Sequence, residues 1–498
     1  MNTALQLITM CVVVFATYLV FMAFGSPRER LLYTREERDA WNKAIGNKLS
    51  RWFTLTNIFG TLTSLATVYL FFIGSSKLFG YWTLLCSVTI WFGGYITNFF
   101  TKEICSRPSI QQRLNSPDQT GGVIAALFWE KEGAPHHMAA LAKYLSLANI
   151  YSVIWLDFAI FADVSADLIG HPSIISKLIL LSVSSFAVIY FTLRYGLRGF
   201  VFADLFQSPL LLIGSSTLLG GIVYLLVTRG IGFHVYDFLS PSLTGQECLL
   251  FAIQLTSLNF LLVLVTEPHW LRIWIFRRRE TEMQLRSTGA TAALWLGLIL
   301  IGLFAFQLSG KQQAGVPVIL GLLQELSKLS GTYLVAFWIG GMAALFASAD
   351  TQIYSALLVN EFDIRTGQIK DLRMTSIQPL RKALLATIGF AVLYGVDSGL
   401  NLQFDKVMFI VLPVCLNLFP AFVALALGRR HAHLYVWSSL VLYVFCSVMG
   451  LLEPANQYTM TLLAPVVPII VSGVVLLGYL IRRETNVSKR NAYQESNR

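Results

Sequence analysis

Apolar stretches long enough to cross a bilayer recur along almost the whole chain. A membrane-spanning helix needs roughly 20 consecutive apolar residues, and about thirteen such stretches can be counted. Hydrophobic residues make up 55% of the 498 residues and charged residues only 13%, against about 25% charge in a soluble protein. The sequence therefore predicts an all-α polytopic membrane protein. The stretches lie near residues 4–24, 53–74, 80–99, 139–167, 174–193, 200–227, 246–266, 287–308, 332–358, 380–397, 405–427, 432–452 and 459–481.

Lysine and arginine residues crowd into every second connection between these stretches. Residues 277–279 and 429–430 belong to the basic set, whereas residues 228–245 and 309–331 belong to a set that is poor in Lys and Arg. Short basic loops stay on the cytoplasmic side of the membrane. We therefore expect a cell-membrane protein with its N-terminus outside and its C-terminus inside. The same distribution explains the net charge of +10, so nucleic acid is not expected as a partner.

No separate soluble domain is expected, because the longest polar segments run only ~20–40 residues. Residues 1–482 are predicted to form one transmembrane domain with a core at about 50–430, followed by a disordered polar cytoplasmic tail at 483–498. The first 24 residues lack a basic start and a cleavage site, which indicates a retained helix. The six scattered cysteines show neither metal spacing nor a disulfide pattern.

The segment from Ala344 to Gln352 is unusual for a membrane-embedded helix. It reads Ala-Leu-Phe-Ala-Ser-Ala-Asp-Thr-Gln, which brings small residues, a hydroxyl and a carboxylate to the end of an apolar stretch. A carboxylate at membrane depth normally faces a cavity, a partner or an ion pathway. The segment therefore indicates transport. The sequence has no phosphate loop, zinc motif, nucleophile triad or dinucleotide fingerprint, so an enzyme is not expected.

Four segments together resemble the sodium:solute symporter family over roughly residues 50–430. Residues 60–64 are similar to the family's broken first core helix, and Gly196 to Gln207 is similar to the entry into core helix five. Glu267 to Arg272 is similar to the Gln-Pro-His-x-x-x-Arg signature of core helix six, with one residue fewer before the Arg. Ala344 to Gln352 is similar to Ala-x-x-Ser-Ser-x-Asp-Ser-Gln in core helix eight.

The fold implied by this resemblance is a leucine-transporter-like core of two five-helix repeats with inverted topology. One helix would precede this core and two would follow it. In such folds the solute and the coupling ion bind near the midplane, where broken helices expose carbonyl groups and helix ends.

The resemblance also implies a site for sodium as the coupling ion. Position by position, its ligands fall on Gly60, Thr63, Ala344, Ala347 and Ser348. Ala347 stands where the family pattern has a hydroxyl residue, so one oxygen ligand is missing from a site for a hard cation. The alternative is that these small residues only allow two helices to pack closely.

Three acidic residues within or beside the apolar stretches are further candidates. Asp204 matches an acid that the resemblance places on the cytoplasmic ion route; the alternative is a solvated acid at a helix start, which the macrodipole favours. Asp157 lies deep in its stretch, and three interpretations are open: it is a proton carrier, it pairs with a substrate amine, or it makes a structural bond to a neighbouring helix. Glu267, in place of the family's Gln, is expected to pair with Arg272 at the interface.

The predicted solute contacts are Ser64, Asp157, Phe260 and Leu264. Phe260 and Leu264 stand eight and four residues before Pro268, where relatives often carry aromatic and hydroxyl residues. Such an apolar wall argues against a sugar and for a smaller or partly apolar organic solute. The sequence thus predicts a sodium-coupled importer that works by alternating access. A proton-coupled transporter and a non-transporting sensor of the same fold stay open as alternatives.

Overall fold

A computed structural model describes residues 12–13, 16, 64, 71–106, 124, 136–228, 240–276, 278–309, 316–369, 377–400, 402–427, 432–454 and 457–496. Ten helices in this part of the chain are long and apolar enough to cross a membrane. The all-α polytopic prediction is confirmed. The predicted helices at 4–24 and 53–74 fall almost wholly outside the described residues, so the total of thirteen stays a prediction.

The described helices are numbered here in chain order. They are α1 (Ser76–Phe79), α2 (Leu85–Cys105), α3 (His136–Leu168), α4 (Ile174–Thr228), α5 (Gly245–Leu261), α6 (Glu267–Phe276), α7 (Arg278–Ser309), α8 (Val316–Ser327), α9 (Thr332–Glu361), α10 (Gln378–Leu400), α11 (Phe404–Val411), α12 (Phe419–Ala426), α13 (Ala432–Leu452), α14 (Thr459–Leu463) and α15 (Val467–Ser496). Two strands, β1 (Phe362–Asp363) and β2 (Gln368–Ile369), form an antiparallel hairpin after α9.

Several predicted helices are interrupted near a proline. The 3-10 turn Leu262–Val265 follows α5, and Pro268 lies in the first turn of α6, where its missing N–H does no harm. Pro413 precedes the 3-10 turn Val414–Leu418 between α11 and α12. Inside a continuous helix, proline removes a hydrogen bond and clashes with the preceding turn. The 3-10 turn Ala464–Val466, which contains Pro465, likewise separates α14 from α15. Three of the predicted membrane helices are therefore interrupted in their apolar stretch.

Two further features differ from expectation, and a third agrees with it. Helix α8 lies in the predicted loop 309–331. The tail predicted as disordered from residue 483 continues α15 as a helix to Ser496. The predicted helices 174–193 and 200–227 agree with two helical parts of α4, which a non-helical kink at Gly196, with φ 63° and ψ −157°, separates; the two parts are separate candidate membrane spans, Ile174–Gly196 and Phe206–Thr228. Only glycine takes up that conformation without a steric penalty.

Helix α9 lies at the centre of the bundle and packs against both α3 and α4. The approach to α4 is close, because a Cβ on Gly214 would lie 2.8 Å from the carbonyl oxygen of Ala336 and 2.9 Å from the Cα of Gly340. By contrast, large apolar side chains on α10 and α13, such as Val392 and Val441, are exposed. Exposed apolar faces of this extent are expected against lipid.

Helix α7 holds residues 71–74 in place. These residues form a π-helical turn, and a Cβ on Gly302 of α7 would lie 1.7 Å from the carbonyl oxygen of Phe72. The hydroxyl of Ser76 donates a hydrogen bond to the same carbonyl. Glycine at position 302 is therefore required for this close contact, which positions one wall of the central cavity.

The start of α11 is anchored to the connection between α13 and α14. Lys406 Nζ donates to the carbonyl oxygens of Gly450, Glu453 and Pro454 at 3.4, 2.9 and 3.0 Å. The ring of Tyr458 lies 5.3 Å from the same nitrogen. The buried ammonium group is thus bound by carbonyl oxygens at the end of α13 and just after it and by one aromatic face, and the carboxylates of Glu453, Asp405 and Glu247 are close enough to interact with it electrostatically.

Candidate solute and ion site

A cavity of about 210 Å³ lies at the break between α5 and α6. Its walls come from residue 64, residues 71–72 and helices α2, α3, α5, α6, α7, α9 and α11. Trp270 Nε1 donates to the carbonyl oxygen of Leu264 at 3.1 Å, which satisfies a backbone group next to the break. The lining residues are Ser64, Phe71, Phe72, Ile90, Asn149, Val153, Phe251, Gln254, Leu255, Leu258, Asn259, Leu262, Thr266, Pro268, Trp295, Gln352, Met408, Phe409 and Leu412.

Carboxamide side chains form most of the polar wall. Asn149 Nδ2 donates to the carbonyl oxygen of Leu412 at 2.9 Å, and Gln254 Nε2 donates to that of Phe409 at 3.2 Å. Asn259 Nδ2 donates to the hydroxyl of Thr89 at 2.6 Å. The side-chain oxygen of Gln254 has no hydrogen-bond partner, and the same is true of Gln352. This wall therefore offers acceptors.

Aromatic side chains form the rest of the wall. The rings of Phe71 and Phe251 lie 5.9 Å apart, and the ring of Phe409 stands edge-on to Phe71 at 5.9 Å. On the other side, Phe72 packs against Trp295 at 5.1 Å. These rings present both faces and edges, which suits a flat apolar or aromatic group.

A hydrogen bond between Ser348 and Asp157 joins α9 to α3. Ser348 Oγ donates to Asp157 Oδ2 at 2.6 Å. The two residues are only 1% and 0% exposed. Of the interpretations of Asp157, the structure therefore shows the bond to a neighbouring helix. That bond also brings a carboxylate to the predicted sodium ligand Ser348, beside the fully buried Ala344 and the nearly fully buried Ala347.

Two further carboxylates meet near the same part of α9. Asp350 and Asp204 are both fully buried and close enough to interact electrostatically, and Gln207 lies beside Asp350. Asp350 Oδ1 accepts from the backbone N–H of Thr351 at 2.6 Å. Asp204 is therefore a buried group inside the bundle and not the solvated acid of the alternative interpretation. No cluster of three metal-ligating side chains occurs among the residues that the structure describes.

The structure places one of the four predicted solute contacts in the cavity wall and the other three outside it. Ser64 lines the cavity, whereas Asp157, Phe260 and Leu264 are not among its lining residues. The predicted sodium ligands Gly60 and Thr63 lie outside the described residues. The sequence argument missed the four carboxamides of the wall, although a usable signal existed: Asn149, Gln254, Asn259 and Gln352 all stand within or beside long apolar stretches.

Glu267 and His269 connect α6 to other segments. Glu267 Oε1 accepts from the backbone N–H of Ile124 at 2.9 Å. His269 Nε2 lies 3.0 Å from the hydroxyl of Thr101 on α2. The side chain of Arg272 lies outside the described residues, so its pairing with Glu267 stays a prediction.

The sequence matches no protein-family model and no curated protein. Among solved structures, a Na⁺-coupled sialic acid symporter in a substrate-bound outward-open state is similar, with a TM-score of 0.54. The similarity covers 95% of this chain and 96% of that chain at 14% identity.

This chain has the fold of that symporter.

The predicted leucine-transporter-like architecture is thereby confirmed, and the chain is a multi-pass membrane protein with a transporter fold. At 14% identity the similarity shows the fold alone. A second structure is the nucleobase-cation-symport-1 family transporter Mhp1 in a closed conformation with bromovinylhydantoin bound. It matches at 16% identity over 85% of this chain and 92% of that chain, and its TM-score of 0.44 is too low to carry an argument.

Proposed function

We propose that this protein is a secondary transporter that imports a small organic solute by alternating access, with sodium as the coupling ion. The fold and the position of the cavity support the solute half of this proposal. The cavity lies where α5 gives way to α6, next to α11, and broken helices of this kind place solute sites near the bilayer midplane. The proposed coupling to sodium is supported by the hydrogen bond between Ser348 and Asp157.

That bond prepares the Ser348 oxygen to bind a cation. A hydroxyl has one proton and two lone pairs. The hydroxyl has two acceptors in reach, Asp157 Oδ2 at 2.6 Å and the carbonyl oxygen of Leu345 at 3.3 Å. With its proton on the shorter bond to Asp157, the oxygen acts as an acceptor toward any other group, and hard cations bind oxygen acceptors. Backbone carbonyls of Gly60, Thr63 and Ala344 would complete the set. The donor set fits sodium, and the negative charge of Asp157 offsets the ligand that Ala347 lacks.

Asp204 and Asp350 are proposed to line the route by which the ion leaves the site. Asp350 stands two residues after Ser348 on α9, and Asp204 is close to it on α4. In the chain, Asp204 follows Arg194 and Arg198, which the positive-inside rule assigns to the cytoplasmic side. The route would therefore run from Ser348 toward the cytoplasm.

Proton coupling is the second candidate, because three carboxylates are fully buried in the bundle. Asp157, Asp204 and Asp350 are each 0% exposed, and buried intramembrane carboxylates are the usual proton carriers of transporters. In that case Asp157, whose carboxylate accepts the hydrogen bond from Ser348, would bind and release the proton that drives uptake.

Uptake into proteoliposomes decides between the two ions. A labelled panel of amino acids, monocarboxylates, vitamins, sugars and neutral heterocycles is offered under an inward sodium gradient or under an inward proton gradient. We expect a sodium gradient alone to drive accumulation, and Ser348→Ala to raise the sodium concentration needed for half-maximal uptake. Ser355→Ala, a buried serine two turns along the same helix, serves as the control. Accumulation driven by the proton gradient alone, and lost in Asp157→Asn, would establish proton coupling.

A further inference from the structure

Among the residues that the structure describes, the cavity wall carries no acidic or basic side chain. All nineteen described lining residues are apolar, aromatic, hydroxyl or carboxamide residues. In the sequence, residues 52–76, which include the lining residues Ser64, Phe71 and Phe72, contain no Asp, Glu, Lys, Arg or His. Transfer of a charged group into such a wall is unfavourable, because no opposite charge lies there to offset its lost hydration. The cavity therefore selects for a solute without net charge.

The amide groups of the wall show which hydrogen bonds the solute must make. The Nε2 of Gln254 and the Nδ2 of Asn149 donate to backbone carbonyls, which can only accept. This fixes the orientation of both amides. Asn259 likewise donates to Thr89, whose own hydroxyl donates to the carbonyl of Leu85. Each of these three carboxamides thus uses at least one of its two N–H groups within the protein.

Two acceptors are left without a partner. Gln254 is 1% exposed and its Oε1 accepts no hydrogen bond, and the Oε1 of Gln352 is also unpartnered. A buried polar atom without a partner is unfavourable, so a group that donates to it gains more than it would in water. The wall also holds one buried donor without a partner, Nε1 of Trp295. The solute that this wall favours therefore carries N–H donors for the two glutamines and can carry an acceptor for Trp295.

The size and shape of the cavity favour a flat ring. About 210 Å³ corresponds to about seven water molecules at ~30 Å³ each, and is smaller than the roughly 300–1,000 Å³ of sites for drug-sized ligands. Phe71, Phe72, Phe251, Phe409 and Trp295 supply aromatic surface around it. Offset stacking and edge contacts with these rings stabilise a planar group.

We propose that the transported solute is an uncharged planar nitrogen heterocycle or aromatic amide that donates N–H groups to Gln254 and Gln352. This inference rests on the proposed transport function for its physiological meaning, and it assigns the chemical class of the solute. It narrows the small or partly apolar solute expected from the sequence to one class.

Binding to purified protein in detergent tests the class without any gradient. Three matched pairs differ mainly in charge: uracil and orotate, nicotinamide and nicotinate, and benzamide and benzamidinium. We expect at least one neutral member to raise the unfolding temperature and to bind about a hundredfold or more tightly than its charged partner. The proposal is overturned if no neutral member binds at millimolar concentration, or if a charged partner binds equally well.

Three variants test the assigned contacts. Gln254→Leu and Gln352→Leu should each weaken binding of the neutral ring about tenfold. Gln403→Leu is the matched control, because the side-chain oxygen of Gln403 is also unpartnered but the residue does not line the cavity. If Gln254→Leu does not fold, Gln352→Leu carries the test alone. Equal affinity in Gln352→Leu and Gln403→Leu would refute the contact.

The failure of this inference is distinguishable from the failure of the transport proposal. Sodium-driven accumulation of a charged amino acid or monocarboxylate would keep the symport function and overturn the solute class. Tight binding of a neutral ring, with neither gradient supporting its accumulation, would keep the solute class and overturn symport.

Discussion

The hydrogen bond between Ser348 and Asp157 predicts a measurable energetic coupling between α9 and α3. Both side chains are buried and their oxygens lie 2.6 Å apart. A hydrogen bond to a charged group contributes about 1.5–3 kcal/mol, and removal of the hydroxyl leaves the carboxylate with one donor fewer. Ser348→Ala and Asp157→Asn should therefore each lower the free energy of unfolding. The double variant should lose about 1.5–3 kcal/mol less than the sum of the two.

Thermal unfolding in detergent measures this double-mutant cycle, once in sodium chloride and once in the same concentration of choline chloride. If Asp157 orients the Ser348 oxygen toward the ion, sodium should stabilise the wild type and neither variant. At a sodium concentration ten times its Kd, the stabilisation amounts to about 1.4 kcal/mol. The comparison between the two salts separates the structural part of the bond from its part in ion binding.

Ser355→Ala provides the control for this cycle. Ser355 is also 1% exposed on α9, and its hydroxyl donates to the carbonyl oxygen of Thr351 at 2.8 Å. This variant should keep the full sodium effect. Two results would refute the reasoning: additive losses within about 0.5 kcal/mol in the double variant, or an unchanged sodium effect in both Ser348→Ala and Asp157→Asn.

Three further predictions concern other parts of the chain. Ala347→Ser adds an oxygen beside the proposed sodium site, so sodium should protect this variant against thermal unfolding better than it protects the wild type; equal protection would exclude position 347 from the site. Gly302→Ala places a Cβ 1.7 Å from a neighbouring carbonyl oxygen and should lower the unfolding temperature, whereas Gly297→Ala, with open space around it on the same helix, should not; equal effects would contradict the packing of α7. In a cysteine-free background, Arg278→Cys should react with an impermeant reagent only from the cytoplasmic side and Lys311→Cys only from outside; the reverse pattern would invert the topology.

The arrangement of helices was largely predictable because bilayer-length apolar stretches leave the backbone few choices. In lipid, each such stretch must satisfy its own N–H and C=O groups, and a helix does so. Helix α8 was missed because its apolar segment, Val316 to Ser327, is shorter than a membrane span. The bend at Gly196 could not be predicted either, because the sequence shows a glycine but not its φ angle.

The cavity wall was harder to predict because α5 does not continue as an α-helix. Phe260 and Leu264 are the positions that the resemblance implies, eight and four residues before Pro268, and they share one face only if the helix continues at about 100° per residue. The intervening residues 262–265 form a 3-10 turn, which advances about 120° per residue. The accumulated difference of about 80° over four residues turns another face toward the cavity, so Asn259 and Leu262 line it.

The pairing of Ser348 with Asp157 could not be read from the sequence at all, because 191 positions separate the two residues. Each residue was identified separately as unusual at membrane depth. Only the packing of α9 against α3 shows that the hydroxyl of Ser348 donates to the carboxylate of Asp157.

The anchorage of Lys406 has a consequence for the speed of the transport cycle. Its three N–H groups are all engaged by carbonyl oxygens of the connection between α13 and α14, and an unpaired buried ammonium group is unfavourable by several kcal/mol. Helix α11 is therefore expected to move together with α13, whose apolar side chains are exposed. If the protein transports as proposed, a change in bilayer thickness should alter turnover more than solute affinity.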